Sequence, residues 1–158
     1  MEFVLFQQGE GEEIIDKSGQ SKMILSKKGA KAVANSSRAL TRLIPRKVKV
    51  QVWSSISPIA SETAELIAEE LGVKRKLLRN LETEDITFIL NTAVQYGGND
   101  YIVIVSTQDH LQAWVQHLIG IQLPFAEASA SGLSINPSDP QKSDLLWFLH
   151  SKYLRNIN

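Results

Sequence analysis

Tyr101-Ile102-Val103-Ile104-Val105, then Ser106-Thr107-Gln108-Asp109, then Leu111, Trp114, Val115, Leu118 and Ile119 place a strand, a polar turn and a helix in immediate succession. An unbroken run of β-branched and aromatic residues suits a strand covered on both faces. The apolar positions that follow recur at i, i+3, i+4, i+7 and i+8, one face of an amphipathic helix. A buried strand with a helix directly behind it is the unit of an α/β sheet with right-handed crossovers.

Working outward, the same unit recurs. Phe3-Val4-Leu5-Phe6 is a second fully apolar run, read as a strand over about residues 2–6, and residues 9–23 read as a polar, glycine-containing loop. Ser26 is placed to cap a helix running to about Leu43, with Ala30, Val33, Ser37, Leu40 and Ile44 on one face and Pro45 as its stop. Val48, Val50 and Val52 form a β-branched strand ending at Trp53. Ser57-Pro58 then opens a helix that Gly72 closes, with Ile59, Thr63, Leu66, Ile67 and Glu70 in helical period. Thr83 opens another, carrying Ile86, Phe88, Ile89, Leu90 and Ala93 and ending at Gly97-Gly98. Residues 124–143 are rich in Ser, Ala, Pro and Asp, with a short strand expected near Gly132–Ile135 and a last helix over Leu145–Leu154. The expectation is one domain, residues 1–158, of α/β class, with a mostly parallel central sheet and helices on both faces.

Composition narrows the function classes. Seventeen basic and 17 acidic side chains cancel, so no overall field draws nucleic acid or an anionic membrane to the chain. Lys27-Lys28-Lys31 and Lys74-Arg75-Lys76 lack interleaved aromatics and read as solvated faces. Cysteine is absent, which excludes disulfides, thiolate metal sites and cysteine nucleophiles. The first apolar run is too short for a signal peptide, and no 18-residue apolar stretch is present, so a cytoplasmic location is expected. No cofactor and no metal are expected. Glu10, Glu12 and Glu13 match no metal-binding spacing and read as a solvated loop.

In an α/β sheet the ligand sits beyond the carboxyl ends of the strands. Those ends are Gln7-Gln8-Gly9, Ser54-Ser55-Ile56-Ser57 and Ser106-Thr107-Gln108-Asp109. Leu5-Phe6-Gln7-Gln8-Gly9-Glu10 resembles the segment of the histidine phosphatase superfamily that normally contains Arg-His-Gly-Glu. Ile24-Leu25-Ser26-Lys27-Lys28-Gly29-Ala30-Lys31-Ala32 is similar to its Leu-Thr-x-x-Gly-x-x-x-Ala helix start. Ser54-Ser55-Ile56-Ser57-Pro58-Ile59-Ala60-Ser61-Glu62-Thr63-Ala64 resembles Ser-Ser-Pro-x-x-Arg-Ala-x-Gln-Thr-Ala, and Val105 through Gly120 follows the Val-Gly-His-Glu-Pro segment and its helix. The order and spacing resemble the SixA-type phosphohistidine phosphatases along nearly the whole chain. The resemblance implies a phosphoglycerate mutase-like, three-layer α/β/α fold.

It also implies where chemistry should be. In that family two arginines, a nucleophilic histidine and a second histidine hold and attack the phosphoryl group. The matching positions here hold Gln7, Gln8, Ile59 and Thr107, none charged and none a comparable nucleophile. The expectation is therefore no catalytic residue among them, and a degenerate protein that acts by binding a protein partner, a copy of itself or a small polar ligand. Gly9, Ser54, Ser57, Gln108 and His110 join them as possible lining of a neutral, hydrogen-bonding pocket, against the plainer reading of a vestigial cleft. The rival is a phosphatase with a rearranged site built on His110 or Glu10. The plain reading of His110 is a solvent-facing helix residue, that of His117 a packing or surface residue, and that of His150 a residue remote from the site. A structural homodimer subunit is the third alternative. Trp53, Trp114 and Trp147 read as core.

Overall fold

The computed structural model describes residues 1–96 and 101–154. Phe3-Val4-Leu5-Phe6 lies within β1 (Glu2–Gln7), which is followed by an antiparallel hairpin, β2 (Gly11–Ile15) and β3 (Ser21–Leu25). Then come α1 (Lys27–Leu43), β4 (Val50–Ser54), α2 (Pro58–Leu71), β5 (Arg75–Leu77) and α3 (Ile86–Tyr96). The chain continues through β6 (Tyr101–Ser106), α4 (Gln108–Ile119), β7 (Ala130–Ser134) and β8 (Asp144–Leu149). Short 3₁₀ turns, Pro140–Lys142 and Ser151–Leu154, flank β8.

Six strands form one sheet in the order β5-β4-β6-β1-β7-β8. The first four are parallel, β7 runs antiparallel to β1, and β8 runs antiparallel to β7. The pleat sends alternate residues to opposite layers. Val4 and Phe6 pack with Val33, Leu40 and Ile67 of α1 and α2, whereas Phe3 and Leu5 pack with Ile89, Trp114 and Leu118 of α3 and α4. Trp53 and Trp114 are fully buried, as their sequence context suggests. The architecture is a mostly parallel sheet between two helical layers.

Local chemistry explains the helix ends. The Ser26 hydroxyl accepts from Gly29 N at 2.9 Å and caps α1. Gly72, at φ 71°, closes α2 in the left-handed region that glycine occupies without strain. The buried face of α2 is Ala60, Thr63, Ala64, Ile67 and Ala68, and Glu70 faces solvent rather than the core. Helix α3 begins three residues after Thr83, because Thr83 Oγ1 and Asp85 Oδ1 accept from Asp85 N and Thr87 N in the turn before it. The expected stop at Gly97-Gly98 lies outside the described residues.

Three expectations are corrected. Residues 9–23 are not a loop but contain β2 and the start of β3. Asp16 Oδ1 accepts from Ser18 N at 2.9 Å and Gln20 N at 3.0 Å, and Gly19 takes φ 85°, so this turn chemistry closes a hairpin. Arg75 and Lys76, read as part of a solvated face, are half-buried in an edge strand, β5. Leu145–Leu149 is the strand β8 rather than a helix. Trp147 lies against Gly132, where an added Cβ would overlap the indole, so this aromatic needs a bare backbone opposite it in β7.

Candidate functional site

The carboxyl ends of β1, β4 and β6 lie side by side, since β6 pairs with both β1 and β4 in parallel register. The loop leaving β1 is held from every direction. Gln8 N donates to Ser106 O at 2.9 Å, and Gly9 N donates to Thr63 Oγ1 of α2 at 3.1 Å. Gly9 is buried where a Cβ would sit 2.7 Å from Leu25 and 2.8 Å from Val33. Gly29 faces the Glu10 backbone so closely that a Cβ there would overlap it. These two glycines allow the loop to lie directly on α1.

The positions singled out in the sequence have individual fates. Gln7 is buried, and its amide is oriented so that its nitrogen donates to Ala126 O at 3.2 Å and its oxygen accepts from Glu127 N at 3.3 Å. Its own carbonyl accepts from Ala128 N at 3.0 Å. Ala128 is fully buried at φ 63°, a strained conformation for a residue with a Cβ, and Ser36 Oγ donates to its carbonyl at 2.7 Å. Gln7 therefore latches a strained turn. The half-buried Ile59 packs its side chain against Gly11 of the hairpin, leaving no room for a Cβ there. Glu62, one turn on, accepts from Leu25 N at 2.8 Å, so α2 grips both hairpin strands. Thr107 is the N-cap of α4, its hydroxyl accepting from His110 N. Gln8 is half-buried beside Ser106.

The remaining candidates divide. Ser54 is fully buried and donates to Ser55 O at 2.9 Å, Ser55 Oγ donates to Glu82 Oε1 at 2.8 Å, and Ser57 N donates to Ser55 Oγ at 3.3 Å. His110 is half-buried rather than fully solvent-facing. Its Nδ1 lies 3.2 Å from Ser106 Oγ, and its ring stacks on Trp114 at 6.3 Å between centroids. His117 is exposed near the end of α4. Glu10 accepts from Ser26 Oγ at 3.3 Å, while Glu13 lies on the hairpin and takes a short hydrogen bond from Ser21 Oγ. Among the described residues no three His, Asp or Glu side chains converge as a metal site.

A cleft of about 980 Å³ opens beyond β1, between α1 and the segments that precede β7 and follow β8. Gln7, Glu10 and Gln108 reach it, whereas Gln8, Gly9, Ser54, Ser57, Ile59, Thr107 and His110 do not line it. Gln108 Nε2 is bonded to Phe125 O at 3.1 Å. The other walls carry Lys28, Lys31, Glu127, His150 and Lys152, a mixed charged lining. His150 is thus beside the site, not remote from it. The apolar run from Leu145 reads in the sequence as one helix to Leu154, which carries residue 150 elsewhere; the strand β8 brings it to the cleft. Lys28 and Lys31 border the cleft as well, and their spacing of three on α1 was the available signal.

This architecture, a mixed six-stranded sheet with the site at the parallel strand ends, is the histidine phosphatase (phosphoglycerate mutase-like) fold. The protein histidine phosphatase SixA, solved with tungstate, superposes with a TM-score of 0.77 at 16% identity, over 98% of this chain and 100% of that one. Phosphoserine phosphatase of Entamoeba histolytica, solved with 3-phosphoglyceric acid, superposes at 0.70 with 13% identity, over 97% and 98%. A mycobacterial glucosyl-3-phosphoglycerate phosphatase complexed with VO3 superposes at 0.68 with 13% identity, over 92% and 98%. No family model and no curated protein matches the sequence. Among the described residues, no helix is long and apolar enough to cross a membrane.

Proposed function

We propose that this protein is a pseudophosphatase of the SixA type, which binds a partner or a small polar ligand and does not turn over phosphohistidine. The observation that carries this reading is the use made of the four positions. Gln7 latches Ala126–Ala128, Ile59 fills the space beside Gly11, Thr107 caps α4, and Gln8 brings no nucleophile. Removing a nucleophile alone costs roughly a million-fold in turnover in a well-studied hydrolase. Each lost oxyanion donor costs about 10²–10³. Amides and a mixed charged cleft suit a neutral or zwitterionic polar group better than a phosphate dianion, which is bound best by forked, charge-assisted arginine contacts.

The rival reading, a rearranged active site, has one contact in its favour: Ser106 Oγ beside His110 Nδ1. Against it, Ser106 is 4% exposed, neither residue lines the cleft, and no described carboxylate orients the imidazole. The deciding experiment is hydrolysis of a phosphohistidine peptide and of an aryl phosphate by the purified chain. A Gln8→Ala variant and a combined Gln7→Arg, Gln8→His, Ile59→Arg, Thr107→His variant run beside it. Background-level rates in the unmodified chain are expected. Turnover that disappears in Gln8→Ala would overturn the proposal.

A further inference from the structure

Charge is not spread evenly along this chain. Residues 17–61 hold ten of its 17 Lys and Arg side chains and none of its 17 Asp and Glu side chains. At the centre of that region is α1, on which Lys28, Lys31, Asn35, Arg38 and Arg42 follow at spacings of three and four, a single stripe along the helix. Lys28, Lys31, Arg38 and Arg42 are exposed. Among the described residues no carboxylate pairs with Lys28, Lys31 or Arg38, and the Arg38 guanidinium donates to the Asn35 amide oxygen. Helix formation does not favour this pattern. The first turn of a helix prefers acids, because its N–H groups are the positive end of the dipole, yet α1 opens on Lys27 and Lys28 with no acid there. Lys27 and Lys31, like Arg38 and Arg42, are equal charges one turn apart, a spacing that destabilises a helix. A surface pattern that works against its own helix is expected where the surface binds something. The stripe also leads into a cavity. Lys28, Lys31 and Asn35 line the cleft of about 980 Å³, across from His150 and Lys152. At the far end of α1, Thr41, Arg42 and Arg46 line a second groove of about 770 Å³ together with the apolar Ile44, Val48 and Leu71.

We propose that the cationic stripe of α1, continuous with the cleft, docks an extended acidic segment of a partner protein. The inference rests on the reading of this chain as one that acts by binding, and it names the chemistry of what is bound. From Lys28 to Arg42 is about 21 Å of helix, the length of roughly six or seven residues of extended chain. Charge complementarity selects an anion. Glu10 and Glu127 on the cleft walls select a peptide among anions. A nucleic-acid backbone carries a charge at every nucleotide and would have to pass them, whereas a peptide can set a neutral residue there. A membrane surface is held by apolar side chains as well as cations, and the stripe carries no apolar residue to insert.

The test is fluorescence anisotropy of a labelled peptide of about eight residues, alternating Glu and Ser, titrated with the full chain. The same peptide with Gln in place of Glu runs beside it. Binding of the glutamate peptide alone is expected, weakening as sodium chloride rises from about 50 to about 200 mM. Lys31→Glu and Arg38→Glu lie on an exposed helix face, so both should keep the thermal melt, and each should weaken binding about tenfold or more. Lys17→Glu, in the turn between β2 and β3, changes the net charge equally and should leave the affinity within about twofold. No binding of the glutamate peptide at about 50 mM salt would overturn the proposal. So would equal losses from Lys17→Glu and Lys31→Glu, or tighter binding to an oligothymidylate of the same length or to phosphatidylserine vesicles. A dimer in sedimentation velocity that Arg38→Glu dissolves would overturn it as well, by showing a second copy on the stripe. Background hydrolysis of phosphohistidine with no peptide binding sinks this inference alone, whereas turnover sinks the reading on which it rests.

Discussion

Between β1 and α2 the strand ends are packed shut, with Ile59 against Gly11 and Gly9 bonded to Thr63, whereas between β1 and α1 a cleft of about 980 Å³ stays open. The two neighbourhoods share the residues that leave β1 but use them differently. On the closed side each side chain has one tight partner and no room to exchange it. On the open side the polar groups belong to separate elements, α1, the segment before β7 and the segment after β8, and they meet around solvent. The packing on one side and the cavity on the other are therefore maintained by different residues.

That contrast can be broken at Gly29, which lets the loop after β1 lie on α1. Gly29→Ala drives a Cβ into the Glu10 backbone and should cost about 2–3 kcal/mol, despite alanine's better helix propensity. A denaturant melt with an unchanged slope is the measurement, and a stabilised variant would mean that the approach is loose. Gln7→Leu comes next. It removes an amide from Ala126 O and Glu127 N and should cost about 1–3 kcal/mol, with faster amide exchange confined to residues 126–129. Gly11 and Ile59 sharpen the comparison through a double-mutant cycle. Gly11→Ala alone should cost about 1 kcal/mol and should cost less once Ile59→Ala has made room, since the two share one space. Strict additivity would show that the closed side is not filled in this way.

The smallest effect concerns acid. The Asp16 carboxyl is held below its ordinary value of 3.8, first by the Ser18 hydroxyl and then by the Gln20 amide. A group depressed by folding contributes stability above its unfolded pKa and loses it as pH falls through the folded one. Amide exchange in β3 should therefore accelerate below about pH 4, and Asp16→Asn should flatten that dependence while the main sheet and the cleft are unaffected.

Periodicity made β1, β4, β6, α1, α2 and α4 legible, because their buried faces are continuous and their caps, Ser26, Gly72 and Gly120, carry recognisable chemistry. The hairpin was not legible. Its residues are mostly exposed, so no alternation marks them, and what holds it is Asp16 in the turn together with Ile59 and Glu62 across from it. β8 reads as a helix in the sequence because Leu145-Leu146-Trp147-Phe148-Leu149 is apolar throughout and fits either period. The aromatic pair and the glycine opposite Trp147 were the strand signals. At the site, motif spacing located Gln7 and Gln108 at the strand ends. The walls supplied by Glu127, His150 and Lys152 depend on where β7 and β8 run, which no local pattern encodes.

The latch from Gln7 to the turn at Ala128 has a consequence for anyone rebuilding a phosphatase on this chain. An arginine at position 7 has donors only, so it satisfies Ala126 O but leaves Glu127 N without an acceptor beside a strained, fully buried alanine. The position at which the resemblance implies an arginine is thus the one whose replacement first loosens a neighbouring turn. The order of substitutions matters: Gln7→Arg alone should cost about 1–3 kcal/mol, and Ala128→Gly, which relaxes the φ 63° position, made first should reduce that cost.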